Sequence, residues 1–271
     1  MSRFLPFSAW KAIFLATAVV AYLFVLLTPR DPEYRLHIIE TCAALVSLYF
    51  LFTVDNRKLT VRDAIVCGVV LIACVAGHFG LAVSGFALYL ILTGQPASAD
   101  RAAGIVMSAI AVRAVWAPIV LETFAPVLVR ADASLVDHLL SLWNPAVHQD
   151  GAVVMSSTDF GIEVTMLCSS VHNISYAALC WVTITMMARK TWVARDLWVG
   201  AATMAAQVSI NVVRLAIIAS SSPLYDYWHD GTGKYWVKAA GTLAALAIAT
   251  AGAHWAGRQP LFTPARPLTA G

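Results

Sequence analysis

The sequence predicts an all-α polytopic membrane protein of about eight transmembrane helices, and three observations carry that expectation. First, 60% of the 271 residues are hydrophobic and only 12% are charged, about half the charge share of soluble domains. Second, the mean hydropathy is +0.75. Third, apolar runs recur at lengths close to the roughly 20 residues a helix needs to cross a hydrocarbon core. A soluble globular, fibrous or disordered chain is excluded. No nucleic-acid partner is expected, because the net charge of +3 is small and the basic residues are scattered between apolar blocks.

The first span runs from about Ala12 to Leu27, behind Arg3 and Lys11. A basic start before an apolar run resembles a signal peptide, but the only A-x-A pattern, Ala16-Thr17-Ala18, falls mid-run, so a retained anchor is expected. A second span covers Leu36 to Val54. The stretch Ala64 to Leu92 is too long for one ordinary span and is interrupted at Gly77-His78-Phe79-Gly80 and at Ser84-Gly85, so it splits into two short or tilted spans. A further span covers Gly104 to Val129. Ala131 to Asp150 then sets Leu135, Val136, Leu139, Leu140, Leu142 and Trp143 at helical spacing among Asp132, Asp137 and His138, which predicts an amphipathic interfacial helix. Gly151 to Glu163 reads as a short hairpin or loop. Three spans follow, at Val164 to Ala188, Leu197 to Ala219 and Trp236 to Ala256. No internal repeat is visible. Residues 1–256 therefore form a single membrane domain with its polar, chemistry-bearing half at 151–236, and residues 257–271 form a cytoplasmic, proline-rich disordered tail.

Orientation follows from the basic residues. Arg189, Lys190 and Arg195 mark one loop as cytoplasmic, as do Arg57, Lys58 and Arg62 for another and Arg258 and Arg266 for the tail. Ala131 to Glu163 carries Asp132, Asp137, Asp150, Asp159 and Glu163 but neither Lys nor Arg, so it belongs outside. The loop Ser220 to Tyr235 then lies outside as well. Both termini inside requires an even number of spans, which the split gives as eight.

Three polar features converge on that outer side: Cys168-Ser169-Ser170, Asn211-Val212-Val213-Arg214, and His229-Asp230-Gly231-Thr232-Gly233. An arginine at a helix centre costs roughly 2.5–3.5 kcal/mol even on mild scales. Arg214 therefore either snorkels, pairs with a buried acid, or has a function. Gln207, Asn211 and Arg214 share one helix face by their spacing. Arg113 and Glu122 also sit within a span and read as structural. The chain has five cysteines with no disulfide or zinc spacing. Cys42, Cys67, Cys74 and Cys180 lie in apolar runs and read as small buried hydrophobes, whereas Cys168 has polar neighbours. A thiol near a cation ionises more readily, and the thiolate is the nucleophile. Arg214 supplies such a cation, or forked hydrogen bonds to an oxyanion, and His229 supplies an acid–base group. His172, i+4 from Cys168, competes as a local base or as a second zinc ligand, but a catalytic zinc site needs a third ligand and none is apparent. No metal or cofactor is expected.

The run Phe160-Gly161-Ile162-Glu163-Val164, followed by Cys168-Ser169-Ser170, Asn211-x-x-Arg214 and His229-x-x-x-Gly233, resembles the exosortase/archaeosortase family in order and spacing. The resemblance covers about Val153 to Gly233; the earlier spans agree by hydropathy only. It implies a polytopic membrane cysteine transpeptidase or protease. Its substrates would be exported proteins with a C-terminal sorting signal made of a short motif, one transmembrane helix and a basic tail. It further implies Cys168 as nucleophile, Arg214 as transition-state stabiliser, His229 as general acid/base and Asn211 as a support orienting the arginine, with Ser169 and Gly233 completing the motifs. The partners implied are those exported proteins, membrane lipid, and a cell-surface or polysaccharide acceptor, at the inner membrane with the site on the external or periplasmic side. The family usually has glycine two residues after the cysteine, where Ser170 stands here, which leaves the recognised motif open.

Two other readings compete. A transporter would use Arg214, Asn211 and Arg113 to line a polar path, although transporters usually show repeated halves. An intramembrane serine protease would use Ser84 with His254, although Ala82 and Val83 break the G-x-S-G pattern.

Overall fold

A computed structural model describes residues 9–27, 38–53 and 60–257. Arg3, Arg57, Lys58, Arg258, Arg266 and the proline-rich tail, on which part of the expected orientation rests, lie outside the described residues. The N-terminal half begins with α1 (Ala9–Leu27), α2 (Ile38–Thr53), α3 (Val61–Val75) and α4 (Phe79–Thr93). The expected division of Ala64 to Leu92 falls at residues 76–78, where Gly77 adopts φ +83°, a left-handed conformation that glycine takes at no steric cost. No second break occurs at Ser84-Gly85, because α4 runs through it. A capping box starts α3: Asp63 N–H donates to Thr60 Oγ1 (3.2 Å) and Thr60 N–H to Asp63 Oδ2 (2.9 Å). The other oxygen of the buried Asp63 accepts from Tyr89 Oη at 2.6 Å, tying α3 to α4.

The next element departs from expectation. α5 (Ala99–Ala111), one π-helical turn (Val112–Trp116) and α6 (Ala117–Ser141) form a single helix of 43 residues. At 1.5 Å per residue it is roughly 65 Å long, about twice a bilayer core. The segment from Ala131 is thus no separate interfacial helix ending at Asp150. It continues the span as far as Ser141, and its apolar face packs on protein: Ala133, Val136 and Leu140 are buried against Val154, Ile162 and Leu215. The polar stretch that follows holds the expected hairpin at 151–163, and a third strand before it makes a small sheet in an otherwise helical chain. β1 (His148–Asp150), β2 (Val153–Met155) and β3 (Gly161–Glu163) form an antiparallel meander in the order β1-β2-β3, with Val154 facing Ile162 across the second pair.

The last helices are α7 (Ser170–Arg189), α8 (Ala194–Ser220), the short α9 (Ser222–Tyr225) and α10 (Gly233–Gly257). α7, α8 and α10 pack on one another. At the far end of this trio Arg189 pairs with the fully buried Asp196, which also accepts from Val193 N–H at 2.8 Å. Two apolar cores result. One joins α1–α5 to Leu179 and Met186 of α7, and the other surrounds Cys168 with residues of α6, the sheet and α8. Outward faces are apolar too: Leu45, Tyr49 and Phe52 on α2 and Ile65, Val69 and Ile72 on α3 are exposed. Lipid, not water, suits such faces. Cys67, Cys74 and Cys180 are buried as expected, but Cys42 is exposed on α2.

Four helices among the described residues, Ala99–Ser141, Met166–Arg189, Ala194–Ser220 and Gly233–Gly257, are long and apolar enough to cross a membrane; Lys11–Leu23, Ile38–Thr53 and Phe79–Thr93 are shorter apolar stretches. The chain is a mostly helical protein of membrane type.

Candidate active site

Cys168 does not lie one turn inside a helix, as the apolar run from Val164 suggests. It ends a 3-10 turn (Met166–Cys168) and α7 starts after it, because Ser169 takes an extended conformation (φ −67°, ψ 141°) and acts as the N-cap. Ser169 Oγ accepts from Val171 N–H at 3.4 Å, which accounts for a serine at this position. Two further side chains, from different helices, hold the turn. The Asn211 amide of α8 donates to Cys168 C=O (2.8 Å) and to Ser170 Oγ (3.1 Å). The Asp132 carboxylate of α6 accepts from Ser170 N–H at 2.8 Å. Asn211 and Asp132 are 2% and 5% exposed, so these bonds are shielded from solvent. The amide nitrogen of Asn211 therefore holds the cysteine turn.

His229 is likewise better ordered than a loop residue. It belongs to a π-helical turn (Asp226–Asp230), closed by Gly231 N–H donating to Asp226 C=O at 2.8 Å. Its ring stacks on Tyr225, with centroids 4.7 Å apart and planes at 15°. Gly233 explains its own place in the motif. A Cβ there would come within 2.7 Å of Trp228 Cε3 and 2.8 Å of Tyr227 C=O, so only glycine lets α10 begin this close to the turn that carries His229. The two elements bring Cys168 Sγ to 4.0 Å from His229 Nε2, at the outer limit for a sulfur hydrogen bond.

Both residues line a cavity of about 650 Å³ between α7, α8 and α10. Gln207, Asn211 and Arg214, the three residues that share one face of α8, line it together. Arg214 is half-buried, and its Nε is buried with no hydrogen-bond partner among the described residues. The charged residues on the wall are Arg214, Lys234 and Lys238 against Glu163, so the lining carries an excess of positive charge. Deeper in the same cavity, Gln207 donates to Gly241 C=O of α10.

His172 also reaches the cavity, but its partner is not Cys168. Its Nε2 lies 2.9 Å from Arg113 Nη2, and a guanidinium only donates, so Nε2 is the acceptor. Arg113 Nε is in turn 3.3 Å from Glu40 Oε1, with both side chains buried. Arg113 thus reads as structural, while Glu122 is exposed. Ser84 Oγ accepts from Trp116 Nε1 at 3.1 Å, and neither Ser84 nor His254 lines the cavity. Sequence reasoning missed Asp132, Tyr225 and Glu40 as parts of these networks. In the sequence Asp132 reads as a polar residue of an interfacial helix, and only the tertiary fold places it against Ser170.

No protein-family model, curated protein or solved structure matches the chain.

Proposed function

We propose that the chain is an exosortase-like cysteine transpeptidase or endopeptidase that cleaves C-terminal sorting signals of exported proteins. One observation carries the reading: Cys168 Sγ and His229 Nε2 lie 4.0 Å apart on the wall of a cavity that Arg214 also lines. A nucleophile beside a base, with a permanent cation in the same pocket, is the set that acyl transfer needs.

In this reaction His229 takes the thiol proton and Sγ attacks the scissile carbonyl carbon. Negative charge develops on the carbonyl oxygen, where the guanidinium N–H donors of Arg214 stabilise it. One of them, on Nε, has no partner among the described residues. The C–N bond breaks, His229 hands its proton to the leaving amine, and a thioester remains on Cys168. An acceptor amine or water, deprotonated by His229, then attacks the thioester and regenerates the thiol. The chain crosses the inner membrane eight times, with the shorter α1, α2, α3 and α4 as tilted or short spans. The site opens on the external side, as the distribution of Lys and Arg favours.

The test is processing of a reporter that ends in a short motif, an apolar helix and an Arg-rich tail. Cys168→Ala should abolish cleavage, and Arg214→Ala should slow it by about 10²–10³-fold, with both variants inserting normally. Unimpaired cleavage by Cys168→Ala would overturn the cysteine mechanism. A transporter reading is weakened by Arg113, which is engaged by Glu40 and His172 and does not line the cavity.

A further inference from the structure

Among the titratable groups that the reaction above leaves unused, Asp132 is bonded to the backbone two residues after the nucleophile. It sits on α6, 36 residues before Cys168 in the chain. Its side chain is 5% exposed, and Oδ2 takes the N–H of Ser170, the first residue of α7, at 2.8 Å. Burying a carboxylate is costly unless strong hydrogen bonds compensate. A helix N-terminus supplies both a free N–H and the positive end of the dipole. Ser169 already satisfies the N–H of Val171, so a neutral cap existed without Asp132. What Asp132 adds is a fixed point outside α7 and α8.

Asn211 grips the turn from the α8 side, through Cys168 C=O and Ser170 Oγ. Both bonds come from one amide nitrogen, so with Asn211 alone the chain could still swing about that single atom, and Sγ would swing with it. A bond to Ser170 N–H from a different helix removes that freedom. We infer that Asp132 is a positioning residue: its carboxylate, hydrogen-bonded to Ser170 N–H, locks the Cys168–Ser170 turn so that Sγ faces His229. This rests on Cys168 and His229 acting as nucleophile and base, but the geometry can be tested without a substrate.

The measurement is the rate of Cys168 alkylation by iodoacetamide at neutral pH, in purified full-length protein in detergent with Cys42, Cys67, Cys74 and Cys180 replaced by alanine. His229→Gln should slow alkylation about tenfold when Sγ faces the base. Asp132→Asn keeps an acceptor oxygen and should preserve that tenfold dependence. Asp132→Ala should reduce it to less than twofold. A second pair removes the same bond from the other end. Ser170→Pro deletes the N–H at the first helical position, where proline is well tolerated. The preceding Ser169, at ψ 141°, already has the conformation proline requires. Ser170→Ala keeps the N–H and controls for the lost hydroxyl. Loss of the His229 dependence in Ser170→Pro but not in Ser170→Ala supports the inference even where Asp132→Ala does not fold. Retention of the tenfold dependence in Ser170→Pro or Asp132→Ala overturns it. Continued reporter cleavage by Cys168→Ala would instead overturn the proposed function and leave the alkylation result standing as a statement about the turn.

Discussion

The cysteine at position 168 gains its setting from bonds that its neighbours make. Its carbonyl accepts from Asn211 and its sulfur approaches His229, while the apolar residues of the second core enclose the turn. Asn211→Leu would leave that buried carbonyl without its donor, at a cost of about 1–3 kcal/mol. The expected result is a lower unfolding temperature in detergent and slower reporter cleavage. An unchanged melting profile would show that the bond contributes nothing. Arg214→Lys keeps the charge but loses the fork, and should cost cleavage much of what Arg214→Ala costs if paired N–H donors matter. Full activity in the lysine variant would mean that a point charge suffices. That Cys168, Arg214 and His229 line one cavity was foreshadowed in the sequence by the set rather than by any one of them: a thiol among polar residues, a cation in an apolar run and a loop histidine, all in polar stretches assigned to one membrane face. Asp132 was not, because a carboxylate on an amphipathic helix looks solvated until the fold supplies Ser170.

At the scale of elements, boundaries were legible where composition changes sharply. The runs Leu197 to Ala219 and Trp236 to Ala256 fall within α8 and α10, extended by only a few residues at either end. Hydropathy places the start of α7 at Val164, six residues early, because it weighs Val164, Met166 and Leu167 as span. It does not register that Ser169 caps and that Thr165 accepts a 3-10 bond. The continuity of α6 was hidden for a related reason: polar residues near Asp132 mimic the end of a span, whereas Asp132 itself is buried against the cysteine turn. The π turn that carries His229 left one trace, Gly233, whose meaning appears only beside Trp228. Gly233→Ala should push that turn away from Cys168 and reduce cleavage about tenfold or more, since misplacement near 1 Å can cost up to about 10²-fold. Reporter kinetics beside a thermal melt would separate this effect from unfolding; a variant with normal kinetics would remove the glycine's proposed role.

Across the whole molecule, two groups of contacts set the architecture: the N-terminal core with its Glu40–Arg113–His172 network, and the second core around the cysteine turn. Arg113→Leu removes the guanidinium beside the buried Glu40 and should destabilise the protein by up to about 3–5 kcal/mol, much of it recovered when Glu40 is also made apolar. Melting of the single and double variants checks this, and a mild single variant would show that the pair is dispensable. For orientation, Ser157→Cys in the connection between β2 and β3 and Ala194→Cys at the start of α8 should lie on opposite faces. On intact cells lacking native cysteines, an impermeant maleimide should label only the first, and equal labelling would overturn the orientation. The long helix α5–α6 links the two groups. Arg113 and Asp132 stand 19 residues apart on it, roughly 29 Å at 1.5 Å per residue. Each residue also advances the helix by about 100°, so the rod transmits angular phase as well as distance. Removing Val120, in its regular part, would turn Asp132 about 100° away from Ser170. The π turn at Val112–Trp116 already holds one residue more than an α turn, so removing Ala114 there would restore ordinary winding and leave both ends aimed as before. The helix thus carries a built-in vernier, and its tolerance to a single deletion should depend sharply on where the residue is taken out.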